Sequence, residues 1–187
     1  MQPLVTIIIP AFNGKARLLR AIGSVLQQKY RPVEIVIVDE GSTPGIDDAL
    51  AEQDVGIRLR ILRSSGPLGA AAARNKGIAA AAGEYIAFFE ANDHWLPSKL
   101  AKQVATAVGH SGGAGIVVYT QTEIRDRDRP AAGTRRAIGE SEKVADYLFA
   151  NGGCIDAATV LVSTKLARKV LYRPELRQHE EDRKSVV

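Results

Sequence analysis

Acidic and amide side chains are concentrated directly after an apolar run near the middle of the chain. The run Tyr85–Phe89 follows Gly83, and Glu90, Asn92 and Asp93 come next. A short apolar run of this kind predicts a strand buried on both faces, and the residues after such a strand reach the ligand crevice of an open α/β sheet. Carboxylate and amide oxygens suit Mg²⁺ or Mn²⁺, which commonly bridge a carboxylate to substrate phosphates. The pattern predicts a metal-diphosphate site, and a solvated turn is the alternative.

Two further polar segments follow predicted strands nearer the start of the chain. The first follows the strand Val5–Pro10, where a turn presents backbone amides and a flat side chain to a planar base. Its residues are Pro10, Ala11, Phe12 and Asn13. In the second segment, Asp39 and Glu40 close the strand Val33–Val38. A carboxylate there accepts hydrogen bonds from a base N–H or from ribose hydroxyls, and an ordinary capped turn is the alternative.

Arg74 lies in an alanine-rich segment from Leu68 to Ala82 that predicts a helix. Small residues let this helix pack close to the sheet, and the forked donors of Arg74 then reach a ribose or a diphosphate. A solvent-facing arginine is the alternative, because most arginines on helices point into water.

Apolar runs and helical patterns alternate along the chain, and these elements position the polar segments. The predicted strands are Val5–Pro10, Val33–Val38, Ile57–Leu62, Tyr85–Phe89, Gly115–Tyr119 and Ala158–Val162. The predicted helices cover residues 18–26, 68–82, 97–108, 140–150 and 165–171. Such alternation predicts an α/β fold with a mostly parallel central sheet flanked by helices.

The segment Arg125–Gly139 breaks this alternation, because arginine, aspartate, proline and glycine dominate it without periodicity. It is predicted to be a loop. Its function is either that of a solvated connector or that of a flap over an acceptor site.

Length and composition are typical of a single globular domain, with 187 residues of which 45% are hydrophobic and 25% charged. No run reaches the roughly 20 apolar residues of a membrane span, and no signal peptide opens the sequence, so we expect a cytoplasmic protein. Cys154 is the single cysteine, which excludes an internal disulfide, and it is expected in the core. The net charge of +4 favours anionic ligands or a membrane surface.

Together with the acidic cluster, the ordered polar segments resemble the family 2 glycosyltransferases, enzymes with the GT-A fold that use nucleotide-activated sugars. The segments that carry the resemblance are Ile7–Asn13, Val36–Thr43, and Ala72–Ile78 running into Gly83–Phe88. The resemblance covers nearly the whole chain. It implies the GT-A (nucleotide-diphospho-sugar transferase) fold in a single domain over 1–187. The implied nucleotide-sugar-binding half covers 1–120, and an acceptor-side half, expected to be truncated, covers 121–187.

The resemblance also assigns roles in donor binding. In the family, the aspartate after the second strand holds the nucleobase, which implies this role for Asp39. The expected donor is a sugar carried by uridine diphosphate (UDP). The implied donor-binding residues are Pro10, Ala11, Phe12, Asn13, Asp39, Glu40, Arg74 and Ala91.

The DXD metal motif of the family falls on Glu90–Ala91–Asn92, which implies a divalent cation, Mn²⁺ or Mg²⁺. The family usually has aspartate where this chain has Glu40, Glu90 and Asn92. Asn92 keeps an oxygen ligand but lacks a full negative charge, so we expect weaker metal binding, with compensation either from Asp93 or from the substrate diphosphate. The implied metal ligands are Glu90, Asn92 and Asp93.

The late acidic pair of the family falls on Glu181 and Asp182. By resemblance, Asp182 is the general base that takes the proton from an acceptor hydroxyl while its oxygen attacks the anomeric carbon opposite the diphosphate. The product then has inverted configuration. Family members continue with a further helix after this pair, so the chain is expected to be C-terminally short. A solvated acidic tail is the alternative.

Two other function classes compete with this interpretation. One is a noncatalytic or weakly active sugar-nucleotide-binding module, suggested by the altered metal motif and the short C-terminus. The other, a dinucleotide-dependent oxidoreductase, is disfavoured because no G-x-G-x-x-G follows the first strand. The expected partners are a nucleotide-sugar donor and a glycan or lipid-linked acceptor in glycan or polysaccharide biosynthesis, without nucleic acid. The basic charge permits peripheral association with the inner face of the membrane.

Overall fold

The computed structural model describes residues 1–43, 45–46, 56–90, 93–110, 115–122, 124–126, 129–132, 136–153 and 155–175. Its strands are β1 (Val5–Ala11), β2 (Val33–Asp39), β3 (Arg58–Arg63), β4 (Tyr85–Phe88), β5 (Val117–Tyr119), β6 (Ile124–Asp126), β7 (Arg129–Ala132) and β8 (Val160–Ser163). Its α-helices are α1 (Lys15–Leu26), α2 (Ala70–Ala80), α3 (Lys99–Gly109) and α4 (Thr164–Lys169). A π-helical turn covers Asp146–Ala150, and a 3-10 turn covers Ala157–Thr159.

Six of the described strands form one sheet in the order β3-β2-β1-β4-β8-β5. β1 pairs in parallel with β2 and with β4, and β2 pairs in parallel with β3. β8 runs antiparallel to both of its neighbours, β4 and β5. The sheet is therefore mixed, with four adjacent parallel strands, and the α/β class predicted from the sequence is confirmed.

Helices cover both faces of this sheet. Every residue of β2 is buried, and six of the seven residues of β1 are buried, as parallel strands enclosed on both faces require. Ile7 and Ile9 belong to a core cluster with residues of α1 and α3, whereas Ile8 belongs to a second cluster with residues of α2 and α4. Alternate residues of one strand thus build the two cores of a three-layer α/β/α arrangement.

Helix α2 lies very close to the central strand. A Cβ atom at Gly77 would lie 2.4 Å from Ile8 Cγ2, so a side chain at this position would force the helix away from the sheet. Nearby, Thr6 Oγ1 donates a hydrogen bond to Glu34 Oε1 at 2.6 Å, and Ala82 N donates to the same oxygen at 2.7 Å. These buried bonds join β1, β2 and the connection from α2 to β4.

The edge strand β3 carries arginines beside the carboxylates of β2. Arg58 Nε lies 3.8 Å from Glu34 Oε2, and Arg60 Nη2 lies 3.9 Å from Glu34 Oε1. Arg63 Nε lies 3.8 Å from Asp39 Oδ2. Since the arginine side chains are between 32% and 64% exposed, each pair contributes little to stability. Their effect is to place positive charge beside two buried carboxylates.

The predicted strands of the main sheet are confirmed, each end lying within two residues of its prediction. The alanine-rich helix is shorter than predicted by two residues at each end. The helix predicted near residues 140–150 consists mainly of the π-helical turn. Among the residues that the structure describes, no helix combines the length and the apolar composition needed to cross a bilayer.

The prediction of a loop over Arg125–Gly139 is wrong in part. β6 and β7 pair as a separate antiparallel two-stranded sheet within the described residues of this segment. The sequences of these two strands contain Pro130 and no apolar alternation, both of which lower a strand prediction from sequence. Apolar alternation, from which strands are predicted, is therefore absent from this segment.

Lys99 at the start of α3 is a buried lysine, with 9% of its surface exposed. Its Nζ lies 4.0 Å from the centroid of the Trp95 ring and donates to Gln103 Oε1 at 2.8 Å. Burial lowers the pKa of Lys99 from 10.5 to about 7, although the nearby Asp93 carboxylate acts in the opposite direction. The ammonium form is therefore costly in the folded protein.

This burial predicts a pH-dependent stability. Between about pH 7 and the ordinary lysine pKa of 10.5, the unfolded chain binds more protons at this side chain than the folded chain does, so the free energy of unfolding rises with pH. Below about pH 7, Lys99 is protonated in both states, and the full cost of burying its charged ammonium lowers the free energy of unfolding. Lys99→Met keeps the apolar stem without the charge, and we expect it to raise the melting temperature more near pH 6.5 than near pH 10.

Thermal unfolding at both pH values measures the effect. Lys102→Met, at an exposed position of the same helix, is the control and is expected to give no such difference. Equal shifts for Lys99→Met at the two pH values would contradict the prediction.

Candidate functional site

Three parallel strands end at the same edge of the sheet, and polar side chains come after each of them. Ala11 at the end of β1 is in register with Asp39 at the end of β2. Ile8 of β1 is in register with Phe88 at the end of β4. Residues that come after parallel strands project beyond one edge, which is where open α/β sheets bind ligands. The segments after β1, β2 and β4 therefore form one candidate site.

Asp39 is almost fully buried at this edge, with 2% of its surface exposed. Its Oδ1 accepts a hydrogen bond from Ser42 N at 3.0 Å, and its Oδ2 lies 3.8 Å from Arg63 Nε. The first contact fixes the turn after β2, and the second places a positive charge beside the carboxylate. Asp39 is thus held rigidly, and each carboxylate oxygen keeps a second lone pair for another donor.

Asn13 and the turn after β2 bind each other directly. Thr43 N donates to Asn13 Oδ1 at 2.9 Å, and Asn13 N donates to Ser42 Oγ at 3.0 Å. Asn13 has a φ of 46°, a left-handed conformation that asparagine tolerates better than most residues. The adjacent Phe12 is 48% exposed. The side-chain oxygen of Asn13 therefore joins two loops, while the Phe12 ring has a face open to solvent.

Glu40 connects the end of β2 to the start of α2. Its Oε2 accepts hydrogen bonds from Leu68 N at 2.8 Å and from Gly69 N at 2.9 Å, directly before the first residue of the helix. A carboxylate is favourable here because the first amides of a helix lack partners within the helix and carry partial positive charge. These contacts give Glu40 a supporting role, and its predicted contact with the donor stays a prediction.

Arg74 of α2 and Glu90 after β4 form an ion pair. Arg74 Nη2 donates to Glu90 Oε1 at 2.9 Å, and the two side chains are only 14% and 27% exposed. The guanidinium carbon of Arg74 also lies 5.3 Å from the centroid of the Tyr172 ring. The interpretation of Arg74 as a solvent-facing residue is therefore wrong. The Arg74 guanidinium therefore lies beside Glu90, the first residue of the predicted metal motif.

Sequence reasoning missed the contribution of Tyr172 and Asn75. Tyr172 packs edge-on against Phe88, with ring centroids 5.5 Å apart, and its backbone is hydrogen-bonded to the Asn75 side chain. The pair is separated by 97 residues, so no local pattern connects them. Asn75 is adjacent to Arg74 in the segment Ala72–Ile78, and this adjacency was the one available signal.

The predicted metal ligands are only partly placed. Within the described part of the chain, no three or more histidine, cysteine, aspartate or glutamate side chains are arranged to hold a metal ion. Glu90 is paired with Arg74, Asp93 N donates to Glu90 O at 3.0 Å, and Asn92 lies outside the described residues. The oxygens of Glu90 and Asp93 nevertheless suit Mg²⁺ or Mn²⁺, which often bind one or two carboxylates together with substrate phosphates. This donor set fits a cation whose coordination a diphosphate completes.

Several predicted residues cannot be located in this site. Ala91, the acidic pair Glu181 and Asp182, and Cys154 all lie outside the described residues. The last described residue is Glu175, which lies three residues after Tyr172 and precedes the acidic pair in the sequence. The roles assigned to these residues by resemblance stay predictions.

Residues 6–171 match the family model described as Glycosyl transferase family 2. The match covers most of the chain. The chain belongs to glycosyltransferase family 2. The membership expected from the sequence segments is thereby confirmed, and the site at the ends of β1, β2 and β4 lies entirely within the matched region.

Individual relatives are similar over different parts of this family 2 chain. It is 25% identical over 182 residues to the amylovoran biosynthesis glycosyltransferase AmsB of Erwinia amylovora, a match that covers 94% of the chain and 60% of AmsB. S. aureus TarS 1-349 in complex with UDP superimposes with a TM-score of 0.74 at 17% identity, covering 95% of the chain and 52% of TarS 1-349. This second likeness confirms the GT-A fold and shows the fold alone.

A third relative contains a metal ion. The mannosyltransferase PcManGT from Pyrobaculum calidifontis, in complex with GDP-Man and Mn²⁺, is 26% identical with a TM-score of 0.57. That match covers 64% of this chain and 35% of PcManGT. The family 2 chain thus spans little more than half of AmsB and TarS 1-349, and about a third of PcManGT.

The contacts of Glu40 predict a measurable effect on stability. Glu40→Ala leaves two backbone donors at the start of α2 without their acceptor, so we expect the free energy of unfolding to fall by about 1–3 kcal/mol. Glu40→Gln keeps an amide oxygen at the same reach and is the matched control, with a smaller loss. Urea unfolding at constant m-value measures both variants. An unchanged midpoint for Glu40→Ala would show that these two bonds do not support the helix.

Proposed function

We propose that this chain transfers a sugar from a nucleoside diphosphate donor, most simply UDP, to an acceptor hydroxyl with inversion at the anomeric carbon. One observation carries the proposal. A continuous series of contacts runs from the turn after β1 to the turn after β2, then to α2, and finally through Arg74 to Glu90. We place the base at the Asp39 end of this series and the diphosphate at the Arg74 end.

The nucleoside end of the proposed site consists of Phe12 and Asp39. The half-exposed Phe12 ring offers a flat apolar surface to a planar base. The buried Asp39 carboxylate accepts a hydrogen bond from a base N–H, and its contacts with Ser42 and Arg63 keep it oriented for this. Pro10, Ala11 and Asn13, at and after the end of β1, are assigned to the same end of the site.

The diphosphate end consists of Arg74, Glu90 and Asp93. Arg74 supplies a fixed positive charge that stabilises negative charge on the departing diphosphate. Glu90 and Asp93, with Asn92, would hold a divalent cation, which when bound supplies further electrostatic stabilisation of the leaving group. Because Arg74 is already paired with Glu90, part of the charge that a cation would neutralise is neutralised by the protein.

In the acceptor half, Asp182 is the proposed general base, with Glu181 beside it. The acceptor oxygen forms a bond to the anomeric carbon as the bond to the diphosphate breaks, and the acceptor proton moves to Asp182. The donor half is assigned to 1–120 and the acceptor half to 121–187. The acceptor is a glycan or a lipid-linked glycan met in the cytoplasm at the inner face of the membrane, in keeping with the net charge of +4.

A noncatalytic or weakly active sugar-nucleotide-binding module is the second candidate. The observation that favours it is the ion pair between Arg74 and Glu90, since the first residue of the metal motif already has a cationic partner. In this case a nucleotide binds without metal and little or no product forms.

The donor and the metal are tested together by thermal unfolding. Uridine, guanosine, thymidine and cytidine diphosphates are each added with Mn²⁺ and with a chelator. At about 100 times its dissociation constant a ligand adds about 2.7 kcal/mol, which raises the melting temperature of a chain of this size by roughly 5–11 °C. We expect a shift with UDP that increases with Mn²⁺. A shift indifferent to metal favours the binding module, and no shift with any nucleotide overturns the donor site.

The general base is tested by Asp182→Asn. Loss of the base is expected to lower the rate of product formation about 10²–10⁴-fold while nucleotide affinity stays unchanged. Glu180→Gln removes a charge from the same acidic run and is the control, with nearly full activity expected. Product is measured with each sugar donor that raises the melting temperature. Full activity of Asp182→Asn would remove the base assignment but leave the donor site intact.

A further inference from the structure

A row of three residues crosses the ends of β1, β2 and β3. Ala11 is in register with Asp39, and Asp39 is in register with Arg63. The residues two positions earlier in the same strands all pack in one core cluster, namely Ile9, Ile37 and Ile61. Because alternate residues of a strand face the same side of a sheet, the side chains of this row project from one face. An acidic and a basic side chain thus lie next to each other at the edge where the base is placed.

The backbone of Arg63 is held from two directions. Ser64 N donates a hydrogen bond to Asp39 O at 2.8 Å. Lys76 Nζ of α2 donates to Arg63 O and, at 2.8 Å, to Ser64 Oγ. These contacts join the end of β3 to β2 and to α2, so the Cα atom of Arg63 has a defined place relative to the Asp39 carboxylate.

The guanidinium of Arg63 lies between the Asp39 carboxylate and the backbone of Gly45. Arg63 Nε is 3.8 Å from Asp39 Oδ2, and the Arg63 side chain is 53% exposed. A Cβ atom at Gly45 would lie 2.6 Å from Arg63 Nη2, so the lack of a side chain there leaves room for the guanidinium. An arginine carries five N–H donors in a planar fork, and it can therefore bind a ligand while keeping its contacts within the protein.

Asp39 and Arg63 together offer a hydrogen-bond acceptor and a hydrogen-bond donor side by side. Uracil, thymine and guanine present the complement on one edge, a ring N–H next to a carbonyl oxygen. Cytosine and adenine present the opposite polarity, a ring nitrogen that accepts next to an amino group that donates. A base of this second kind would place a lone pair against the carboxylate and an amino group against the guanidinium, and polar groups mismatched in this way are costly.

We propose that Arg63 is a specificity-determining residue that donates to a carbonyl oxygen of the base while Asp39 accepts the adjacent ring N–H. The proposal rests on the proposed function, in which Asp39 holds the base. It restricts the donor to a nucleotide of uracil, thymine or guanine and assigns the rejection of cytosine to the pair. Arg63 acts on the choice of donor and not on the chemical step.

Calorimetric titration with uridine, guanosine and cytidine diphosphates tests the pair, since UDP and CDP differ only in the edge of the base. The parent chain is expected to bind UDP or GDP more tightly than CDP. Arg63→Met keeps the apolar stem without the donors. It is expected to weaken the preferred nucleotide at least about tenfold and CDP by less than about threefold, because only the preferred base loses a charge-assisted hydrogen bond. An equal loss for all nucleotides would overturn the proposal, since it would identify Arg63 as a general attraction for the diphosphate.

Two further variants separate the donor fork from charge and from stability. Arg58→Met is the matched control, because Arg58 is also exposed on β3 and its Nε also lies 3.8 Å from a β2 carboxylate. It is expected to leave every affinity unchanged, and a loss like that of Arg63→Met would contradict the proposal. Arg63→Lys keeps the charge without the fork and is expected to bind CDP like the parent but the preferred nucleotide less tightly. Parent affinity for both nucleotides in this variant would also overturn the proposal.

The parent titrations distinguish this proposal from the proposed function. Binding of CDP as tightly as UDP and GDP would overturn the role of Arg63 alone and leave a donor site. Absence of binding by all three nucleotides would overturn the proposed function, and the role of Arg63 with it.

Discussion

Close packing of α2 on the central strand is the constraint on which the site depends. The helix reaches Ile8 at a position where only a glycine avoids a collision, and this contact at Gly77 fixes how far the helix stands from the sheet. Arg74 and Asn75 lie within one turn of Gly77, so the same contact fixes where their side chains begin. Small residues in this helix are therefore a geometric requirement of the site, because a larger gap would separate Arg74 from Glu90.

Glu40 and Glu90, at the ends of two parallel strands, each make a contact within the protein. Glu40 accepts two amides at the start of α2, and Glu90 binds the guanidinium of Arg74. These two glutamates thus connect α2 to the ends of two strands, β2 and β4. Support of this kind before a ligand binds lowers the ordering cost of binding, which applies to the nucleotide proposed for this site.

The fold was largely predictable from the sequence because β1, β2 and β4 are short, nearly continuous apolar runs followed by polar residues. The pattern also placed Asp39 and Glu90 at the same edge correctly. It did not reveal that Asn13 binds Thr43, or that Arg74 binds Glu90, because such pairings depend on the distance between elements. The pairing of β6 with β7 was missed because their sequences show no apolar alternation, and the contact of Tyr172 with Asn75 joins segments too far apart for any local signal.

The arginines of β3 have a consequence beyond the carboxylates that they face. Among the described strands, β3 lies at one end of the main sheet, and such outer strands are where edge-to-edge association of sheets occurs. Arg58 and Arg60 lie on one face of this strand and Arg63 lies on the other, so positive charge is present on both faces of the outer strand. Charged side chains on an outer strand are one of the features that disfavour edge-to-edge association of sheets.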